Sequence, residues 1–480
     1  MAIGTGSVNH LTLDRLSSGE LSCETFMQDT YDRIKRINPQ LNALVNLIDE
    51  DQALTQARLA DETPQDKRGP LHGLPWAAKD MVEVRGFANT WGFAPWADRM
   101  ATQDDRQAAR LRQAGVIFIG RSNMPEFGLG SNTFNSLFGQ TLNPWNTQCT
   151  PGGSSGGAAV ALATRMLPLA DGSDMGGSLR NPASFCNVVG LRPSIGRVAH
   201  GPGMSWLARL STTGPMATNV TDLCKLLAVQ AGPDASDPLT LPEPGSLFLD
   251  CPETPANLHT QRIAYSPNLG NLPIDPAVTA VTDACARTLE EMGAQVEHAA
   301  PNLEGAMDIF QTQRAASLAG MGRALDKTLP EWRQHAKETA VWNIEQGFKL
   351  DAGQLLASEQ KRSDLYRRVA EFFTEYDALI LPAAQVPPFS VDQEWVDEIA
   401  GQKMETYIDW MTICCAITVT GCPAISIPGG FTSSGLPVGL QIVGRPRGDF
   451  ELLQLAYAFE QATLHYQQLP AIHGLTQTQP

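Results

Sequence analysis

The chain has 480 residues, 42% of them hydrophobic, so it is long enough to bury a large core. Its 35 Lys and Arg against 51 Asp and Glu give a net charge of −16. This charge argues against nucleic acid and anionic membrane surfaces as partners.

Targeting, redox and metal signals are absent from the sequence. No stretch has the basic-then-apolar pattern of a signal peptide, and no run of 18 apolar residues could span a bilayer, which predicts a cytoplasmic protein. Nine scattered cysteines without Cys-x-x-Cys spacing are most simply reduced thiols. No cluster of His, Cys and acidic residues has metal-ligand spacing, so we expect neither a metal nor another cofactor.

Helical and strand patterns alternate along the chain, which predicts an α/β layered sheet. The predicted helices cover residues 14–45, 105–114, 156–165, a stretch opening near residue 178, 221–231, 278–292 and most of 303–376. The predicted strands cover residues 73–79, 116–119, 167–170, 263–266, 293–297, 378–382, 424–428 and 438–443. A proline-rich loop over 232–260 separates the earlier elements from the later ones.

Two serines lie in separate glycine nests. Ser154 belongs to Pro-Gly-Gly-Ser-Ser-Gly-Gly, and Ser178, 24 positions later, ends Gly-Ser-Asp-Met-Gly-Gly-Ser. Glycine lets backbone N–H groups converge on a developing negative charge, so this pattern favours a serine nucleophile. Two tight turns that pack a helix against a strand are the alternative.

A serine nucleophile needs a base. None of the eight histidines lies in a recognisable triad motif, although a histidine brought close by the fold stays an alternative. Lys79 ends the apolar segment 73–79, and a buried lysine of lowered pKa can act as a base. The competing interpretation is a lysine that reaches the surface and pairs with Asp80.

Six motifs in order along the chain resemble the amidase signature family of Ser–cis-Ser–Lys hydrolases. The resemblance extends from about residue 10 to residue 465 and is highly specific because of the combined order and spacing. The motifs are Gly73-Leu-Pro-Trp-Ala-Ala-Lys-Asp80, Gly120-Arg-Ser-Asn-Met-Pro-Glu-Phe127, Asn143-Pro-Trp-Asn146, Pro151-Gly-Gly-Ser-Ser-Gly-Gly157, Gly172-Ser-Asp-Met-Gly-Gly-Ser-Leu-Arg180 and Gly435-Leu-Pro-Val-Gly-Leu-Gln-Ile-Val-Gly444.

The resemblance implies an amidase signature fold, with a large mixed central β-sheet covered by helices on both faces. It implies a single domain over 1–480. Within it we distinguish an N-terminal helical segment at about 10–60, a core at about 70–225 and a peripheral helical layer at about 303–376.

The resemblance also implies roles for individual residues. Ser178 matches the nucleophile, Lys79 the base, and Ser154 the bridging serine on a cis peptide bond after Gly153. Ser155 is an alternative bridge, but the spacing to Ser178 favours Ser154. The matching oxyanion-hole N–H donors are those of Met175, Gly176, Gly177 and Ser178.

Substrate contacts are less well defined. Gly130, Ser131 and Asn132 fall where the family lines its substrate site, although ordinary turn chemistry explains the last two equally well. Ser173 and Met175 depart from the commonest family pattern, which leaves substrate identity open. A substrate carboxylate, if there is one, could meet Arg180 or Arg209, with Arg180 the better candidate for bracing the loop.

Segments 199–210, 303–350 and 389–410 are least like a signature and are candidates for specificity. Their aromatic residues suggest a pocket for an aryl or long acyl group, with core packing as the alternative for each one. These residues are Trp206, Phe310, Trp332, Trp342, Trp395 and Trp410.

Three functions compete at this point. The first is a stand-alone amidase acting on a small carboxamide or aryl amide, with a small-molecule substrate and no direct contact with nucleic acid or membrane. The second is the A-type glutaminase component of a glutamyl-tRNA amidotransferase, which needs a partner protein. The third, a non-catalytic scaffold, fits poorly with an intact Lys79, Ser154 and Ser178. The oligomeric state stays open, with a homodimer as one alternative.

Overall fold

A computed structural model of the chain describes residues 10–199, 209–473 and 475. The α-helices of these ranges are α1 (His10–Ser18), α2 (Cys23–Leu41), α3 (Glu50–Asp61), α4 (Arg106–Gln113), α5 (Gly156–Ala163), α6 (Arg180–Cys186), α7 (Val220–Gln230), α8 (Pro276–Glu291), α9 (Ala306–Thr328), α10 (Trp332–His335), α11 (Glu338–Phe348), α12 (Ala352–Phe372), α13 (Thr412–Thr420) and α14 (Asp449–Thr463). The strands are β1 (Leu44–Val45), β2 (Pro75–Lys79), β3 (Ile117–Ser122), β4 (Phe134–Asn135), β5 (Gly139–Gln140), β6 (Leu169–Asp174), β7 (Val189–Arg192), β8 (Thr212–Ala217), β9 (Arg262–Tyr265), β10 (Gln295–His298), β11 (Ala378–Pro382), β12 (Glu398–Ile399), β13 (Gln402–Lys403), β14 (Ala424–Phe431) and β15 (Pro437–Gly444).

The central sheet has eight strands in the order β10-β9-β11-β15-β14-β7-β8-β6. β9 pairs in parallel with β10 and β11, and the remaining pairs are antiparallel. The sheet is therefore mixed, as predicted.

Both faces of this sheet are buried. Successive side chains of a strand point to opposite faces. Along β11, Ile380 belongs to one hydrophobic core, while Leu379 and Leu381 belong to another. Helices cover both cores, so the predicted α/β fold with a helix-covered sheet is confirmed.

A second, smaller sheet has the order β1-β3-β2, with β2 and β3 parallel. β2 is buried over its whole length and also contacts β6 at the edge of the central sheet. The carboxyl end of β2 is thereby placed beside the end of β6. This junction positions the candidate site.

Several element boundaries differ from the sequence prediction. The segment predicted as one helix over 14–45 is two helices, because the Ser22 side chain accepts a hydrogen bond from the Thr25 N–H and starts α2 afresh. The strand predicted over 167–170 begins at Leu169 and continues to Asp174, and α6 begins only at Arg180. Ser178 therefore lies in a loop before the helix.

The predicted helical layer contains α9 to α12, and α9 packs against α11, α12 and α13. Within the described ranges, no helix is both long enough and apolar enough to cross a membrane.

Candidate active site

Lys79 lies at the end of β2 and is completely buried. Its Nζ donates to three hydroxyl groups, those of Ser154 at 2.8 Å, Ser155 at 2.9 Å and Ser173 at 3.1 Å. Asp80 instead faces the Arg121 guanidinium, 3.4 Å from its Nε. The alternative of a lysine paired with Asp80 is therefore wrong.

Burial lowers the pKa of Lys79 from 10.5 to about 7, although the carboxylates of Asp171 and Asp174 oppose this shift. A neutral amine has two N–H donors and one lone pair. Since three hydroxyl groups surround the nitrogen, one of them can donate its proton to that lone pair. The arrangement suits proton exchange between a serine and the amine.

Ser154 lies in the loop that precedes α5, and the peptide bond between Gly153 and Ser154 is cis, as predicted. The two adjacent serines differ in access, because Ser154 lines a cavity and Ser155 is completely buried behind it. Glycine at position 172 leaves room for the Ser155 side chain, because a Cβ on Gly172 would lie only 2.8 Å from the Ser155 Oγ.

Asp174 organises the second glycine loop. Its carboxylate accepts hydrogen bonds from the Gly177 and Leu179 N–H groups at 2.9 and 3.1 Å. It also accepts from the Nε and a terminal nitrogen of Arg180, at 3.0 and 2.9 Å. Gly177 has a φ of +110°, which a side chain rarely adopts, so glycine is required at this turn.

The ion pair between Asp174 and Arg180 lowers the pKa of the carboxyl group and raises the pKa of the guanidinium. Burial alone would raise the pKa of Asp174, but the Arg180 guanidinium holds it well below its ordinary range. Burial alone would lower the pKa of Arg180, but Asp174 raises it. Arg180 also donates to Gln441 Oε1 at 2.6 Å and to Thr418 Oγ1 at 2.9 Å. Arg180 is thus the brace of the loop that precedes it, as predicted.

A cavity of about 410 Å³ opens onto Ser154 and Ser178. Its described lining is mostly apolar and includes Met81, Val82, Trp91, Phe127, Leu129, Met175, Phe310, Leu318, Met321 and Met411. The charged residues along it are Lys79, Glu83, Asp105 and Arg314. No histidine is among these described lining residues, so the geometry offers no support for a histidine base.

Comparison with known proteins gives matches over nearly the whole chain. The family model described as Amidase matches residues 26–453. This chain belongs to the amidase family. The relatives of this amidase include an acylamidase of Rhodococcus erythropolis, 32% identical over 93% of both chains. They also include one component of the glutamyl-tRNA(Gln) amidotransferase of Synechococcus sp., 34% identical over 93% of this chain and 94% of the relative.

Among solved structures, a bacterial aryl acylamidase of the amidase signature enzymes aligns with a TM-score of 0.88. It is 26% identical, and the alignment covers 96% of this chain and 97% of that one. This amidase is accordingly an enzyme that hydrolyses amides.

The predicted oxyanion donors are not equivalent in this amidase. The Gly177 N–H is bonded to Asp174, whereas those of Gly176 and Ser178 have no acceptor in the described part of the chain. Gly177 is therefore corrected from an oxyanion donor to a residue that shapes the loop.

Of the three residues predicted to contact the substrate, one lines the cavity and two do not. Gly130 lines the cavity, but the Ser131 Oγ donates to the Gly153 carbonyl at 2.5 Å. The Asn132 amide donates to the Gln393 carbonyl at 2.8 Å, and its Oδ1 accepts from Thr150 at 2.7 Å. We correct the prediction for these two side chains, because both hold loop backbone or a neighbouring side chain and neither lines the cavity.

Of the predicted pocket aromatics, Phe310 alone lines the cavity among those described, and Trp206 lies outside the described residues. Trp332 and Trp410 are core residues, and Trp342 is 39% exposed. Trp91 and Phe127 also line the cavity and were not predicted to do so, although Phe127 ends the motif that begins at Gly120. The position of Phe127 in the motif was the available signal.

Arg209 pairs with Asp237 at 2.6 Å and does not line the cavity. With Arg180 bound to Asp174, neither arginine named from sequence is available to a substrate carboxylate. The arginine that does line the cavity, Arg314, was not predicted, because nothing in the sequence near α9 marks it.

Proposed function

We propose that this enzyme is a stand-alone amidase that cleaves aryl amides or small acyl amides through an acyl-enzyme on Ser178. The observation that carries the proposal is the set of three hydroxyl contacts around the buried, readily neutral amine of Lys79. Such an amine can accept a proton near neutral pH.

In the proposed reaction, the Ser178 Oγ attacks the amide carbonyl carbon, and its proton passes to Ser154 while the Ser154 proton passes to Lys79. The new C–O bond leaves a negative charge on the carbonyl oxygen, which the Gly176 and Ser178 N–H groups stabilise. The protonated lysine then returns the proton through Ser154 to the departing nitrogen, and the C–N bond breaks. Water attacks the resulting ester with the same relay, which releases the carboxylic acid and restores Ser178.

The apolar cavity supports an aryl or alkyl substituent next to the scissile bond. Trp91, Phe127 and Phe310 supply aromatic surface, and Leu318 and Met411 supply aliphatic surface. Such a lining favours a hydrophobic substrate group over a small, fully polar one. The similarity to acylamidases agrees with this choice.

The second candidate is the A-type component of a glutamyl-tRNA(Gln) amidotransferase, favoured by the 34% identical relative. That relative belongs to an amidotransferase, so this alternative predicts activity that depends on a partner protein. The stand-alone proposal predicts activity in the purified chain.

The test measures release of ammonia or amine by the purified chain from a panel of aryl, small primary, amino-acid and glutamine amides. Ser178→Ala is the matched variant. We expect cleavage of acyl anilides by the wild type and none by Ser178→Ala. Activity on glutamine alone, or activity only after a partner protein is added, would favour the second candidate. Full activity in Ser178→Ala would refute the proposed nucleophile.

A further inference from the structure

Arg314 is a buried cation in the wall of the cavity. It lies on α9 with 5% of its surface exposed. Its terminal nitrogens donate to the Asn343 Oδ1 and the Tyr407 hydroxyl, and the Tyr407 ring centroid lies 5.4 Å from its guanidinium carbon. All of these partners are neutral. Among the described residues, no carboxylate oxygen lies within 4.0 Å of an Arg314 nitrogen, so Arg314 forms no ion pair there.

This environment differs from that of most other buried arginines among the described residues. Buried Arg165 also lacks a carboxylate, but it donates to the Leu162 and Tyr466 carbonyls and does not line the cavity. Four others each face a carboxylate within 3.4 Å. These pairs are Arg121 with Asp80, Arg180 with Asp174, Arg197 with Asp449, and Arg209 with Asp237. Burying a charge without a counter-ion is costly. A residue kept in that state beside a substrate cavity indicates that the missing anion arrives with a ligand.

The neutral partners also fix the orientation of the guanidinium. Asn343 is 3% exposed, and its own amide donates to the Thr339 carbonyl and to the Tyr407 hydroxyl. The Tyr407 oxygen thus receives hydrogen bonds from both Arg314 and Asn343. A guanidinium carries five N–H donors, of which two are used here, so donors remain for an anion. The cation is therefore held in place and incompletely bonded.

The position of Arg314 relative to the glycine loop follows from Phe310, one helical turn earlier. The Phe310 ring approaches to 3.1 Å of the place where a Cβ on Gly176 would lie. Residues four apart share a helix face, and four residues advance the axis by about 6 Å. Arg314 thus lies about one helical turn beyond the residue that touches the proposed oxyanion loop, with Ser317 and Leu318 on the same cavity wall.

We propose that Arg314 binds a carboxylate carried by the substrate, so the enzyme acts on amides in which a short apolar spacer separates an acidic group from the scissile bond. A carboxylate matches the planar fork of a guanidinium in two parallel hydrogen bonds. Glu83 and Asp105 also line the cavity, and their carboxylates repel an anion from their part of it. This inference rests on the proposed function, since it names the substrate class of the same site.

The test compares the 4-nitroanilides of glutaric acid and of 5-methylhexanoic acid, which match in shape and differ in charge. A second pair, 4-acetamidobenzoate and 4-methylacetanilide, places the acid on the amine half. We expect Arg314→Met to lower kcat/KM by about 10- to 100-fold for the acidic member of at least one pair, mainly through KM. The neutral members should change less than about 3-fold, and Arg314→Lys should restore part of the loss.

Arg323→Met is the matched control, because it is the same substitution at an exposed position of the same helix. It should leave all four substrates unaffected. A second variant, Asn343→Asp, places a carboxylate against the guanidinium at nearly constant volume. It should weaken the acidic substrates selectively, and it tests the inference if Arg314→Met does not fold.

A binding measurement separates this inference from the proposed function. In the Ser178→Ala background, glutarate should raise the thermal midpoint, and Arg314→Met should abolish the rise. If no panel amide is hydrolysed but glutarate still binds through Arg314, the proposed function fails and the anion site stands. If neutral amides are preferred and Arg314→Met alters acidic and neutral substrates equally, the inference is overturned.

Discussion

The protonation state of the Lys79 amine decides the pH dependence of the proposed reaction. Burial lowers the pKa of Lys79 to about 7, and the amine accepts a proton only when neutral. We therefore expect kcat/KM to rise through pH 7 and to level off above it. A pH–rate profile on a neutral anilide measures this limb. An acid limb centred above pH 9 would mean that the Lys79 pKa is not lowered by burial, and a limb near pH 4 would assign the base to a carboxylate instead.

The roles of the adjacent residues Ser154 and Ser155 can be separated by comparing their alanine variants. Both hydroxyls contact the Lys79 amine, but Ser154 also lines the cavity, where it can meet the substrate side of the relay. We expect Ser154→Ala to lower kcat by about 10²- to 10⁴-fold, as for loss of acid–base catalysis. Ser155→Ala should cost less than about 10-fold. Steady-state kinetics on one anilide decides between them, and equal losses would assign the relay to both hydroxyls.

A site residue was predictable from the sequence when its role is visible in a local motif, and not when its role depends on distant parts of the chain. Lys79, Ser154 and Ser178 were named because their side chains stand in recognisable local motifs. Ser131 and Asn132 were assigned to substrate, since a sequence does not reveal that the loop carrying Gly153 and the chain at Gln393 take up their hydrogen bonds. Arg314 was missed for a related reason, because the absence of a counter-ion is a property of the folded surroundings.

At the scale of elements, the loop between β6 and α6 owes its shape to one carboxylate. Asp174 accepts from two loop N–H groups and from Arg180, and its pKa stays below the ordinary range, so the loop keeps its anion in mild acid. Asp174→Asn leaves Arg180 buried without a full counter-charge, which costs about 3–5 kcal/mol.

We expect Asp174→Asn to lower kcat by about 10²- to 10³-fold, the size of a lost oxyanion donor. The thermal midpoint should fall as well. Stopped assays at several substrate concentrations separate kcat from KM. A variant that loses stability but keeps kcat would show that the carboxylate supports the fold without setting the N–H groups of the loop.

Element identity was predicted better than element boundaries. The strand at 424–428 was predicted correctly with its partner across Gly435, because the two apolar runs and the turn are local signals. The start of α6 was placed near Ser178, whereas the structure starts it at Arg180. The glycine pattern marks a turn but does not say that Asp174 will bind the N–H groups of Gly177 and Leu179 and delay the helix.

At the scale of the whole molecule, the proposed catalytic groups come from two different sheets. Lys79 ends β2 of the small sheet, and the loop with Ser178 follows β6 of the central sheet. A sequence does not state which sheet a strand joins, so this division was not predicted. Asp171 of β6 links the two sheets, since it accepts from the Trp76 indole at 2.9 Å and from the Lys79 N–H at 3.2 Å.

This link predicts that Trp76→Phe weakens stability and activity together. The Asp171 carboxylate is 1% exposed, and losing one of its donors costs about 1–3 kcal/mol, with a further penalty for the volume lost. Trp332→Phe is the matched control, because that indole is equally buried but donates to Asp326, whose side chain is 40% exposed and can bind water instead. We expect a larger fall in the thermal midpoint for Trp76→Phe than for Trp332→Phe. We also expect a lower kcat in Trp76→Phe only, because the bond from Trp76 to Asp171 helps to fix the position of Lys79 relative to the loop that carries Ser178. Equal falls in both variants would mean that the indole bond to Asp171 adds nothing beyond packing, and that the two sheets keep the catalytic groups in place by their hydrophobic contact alone.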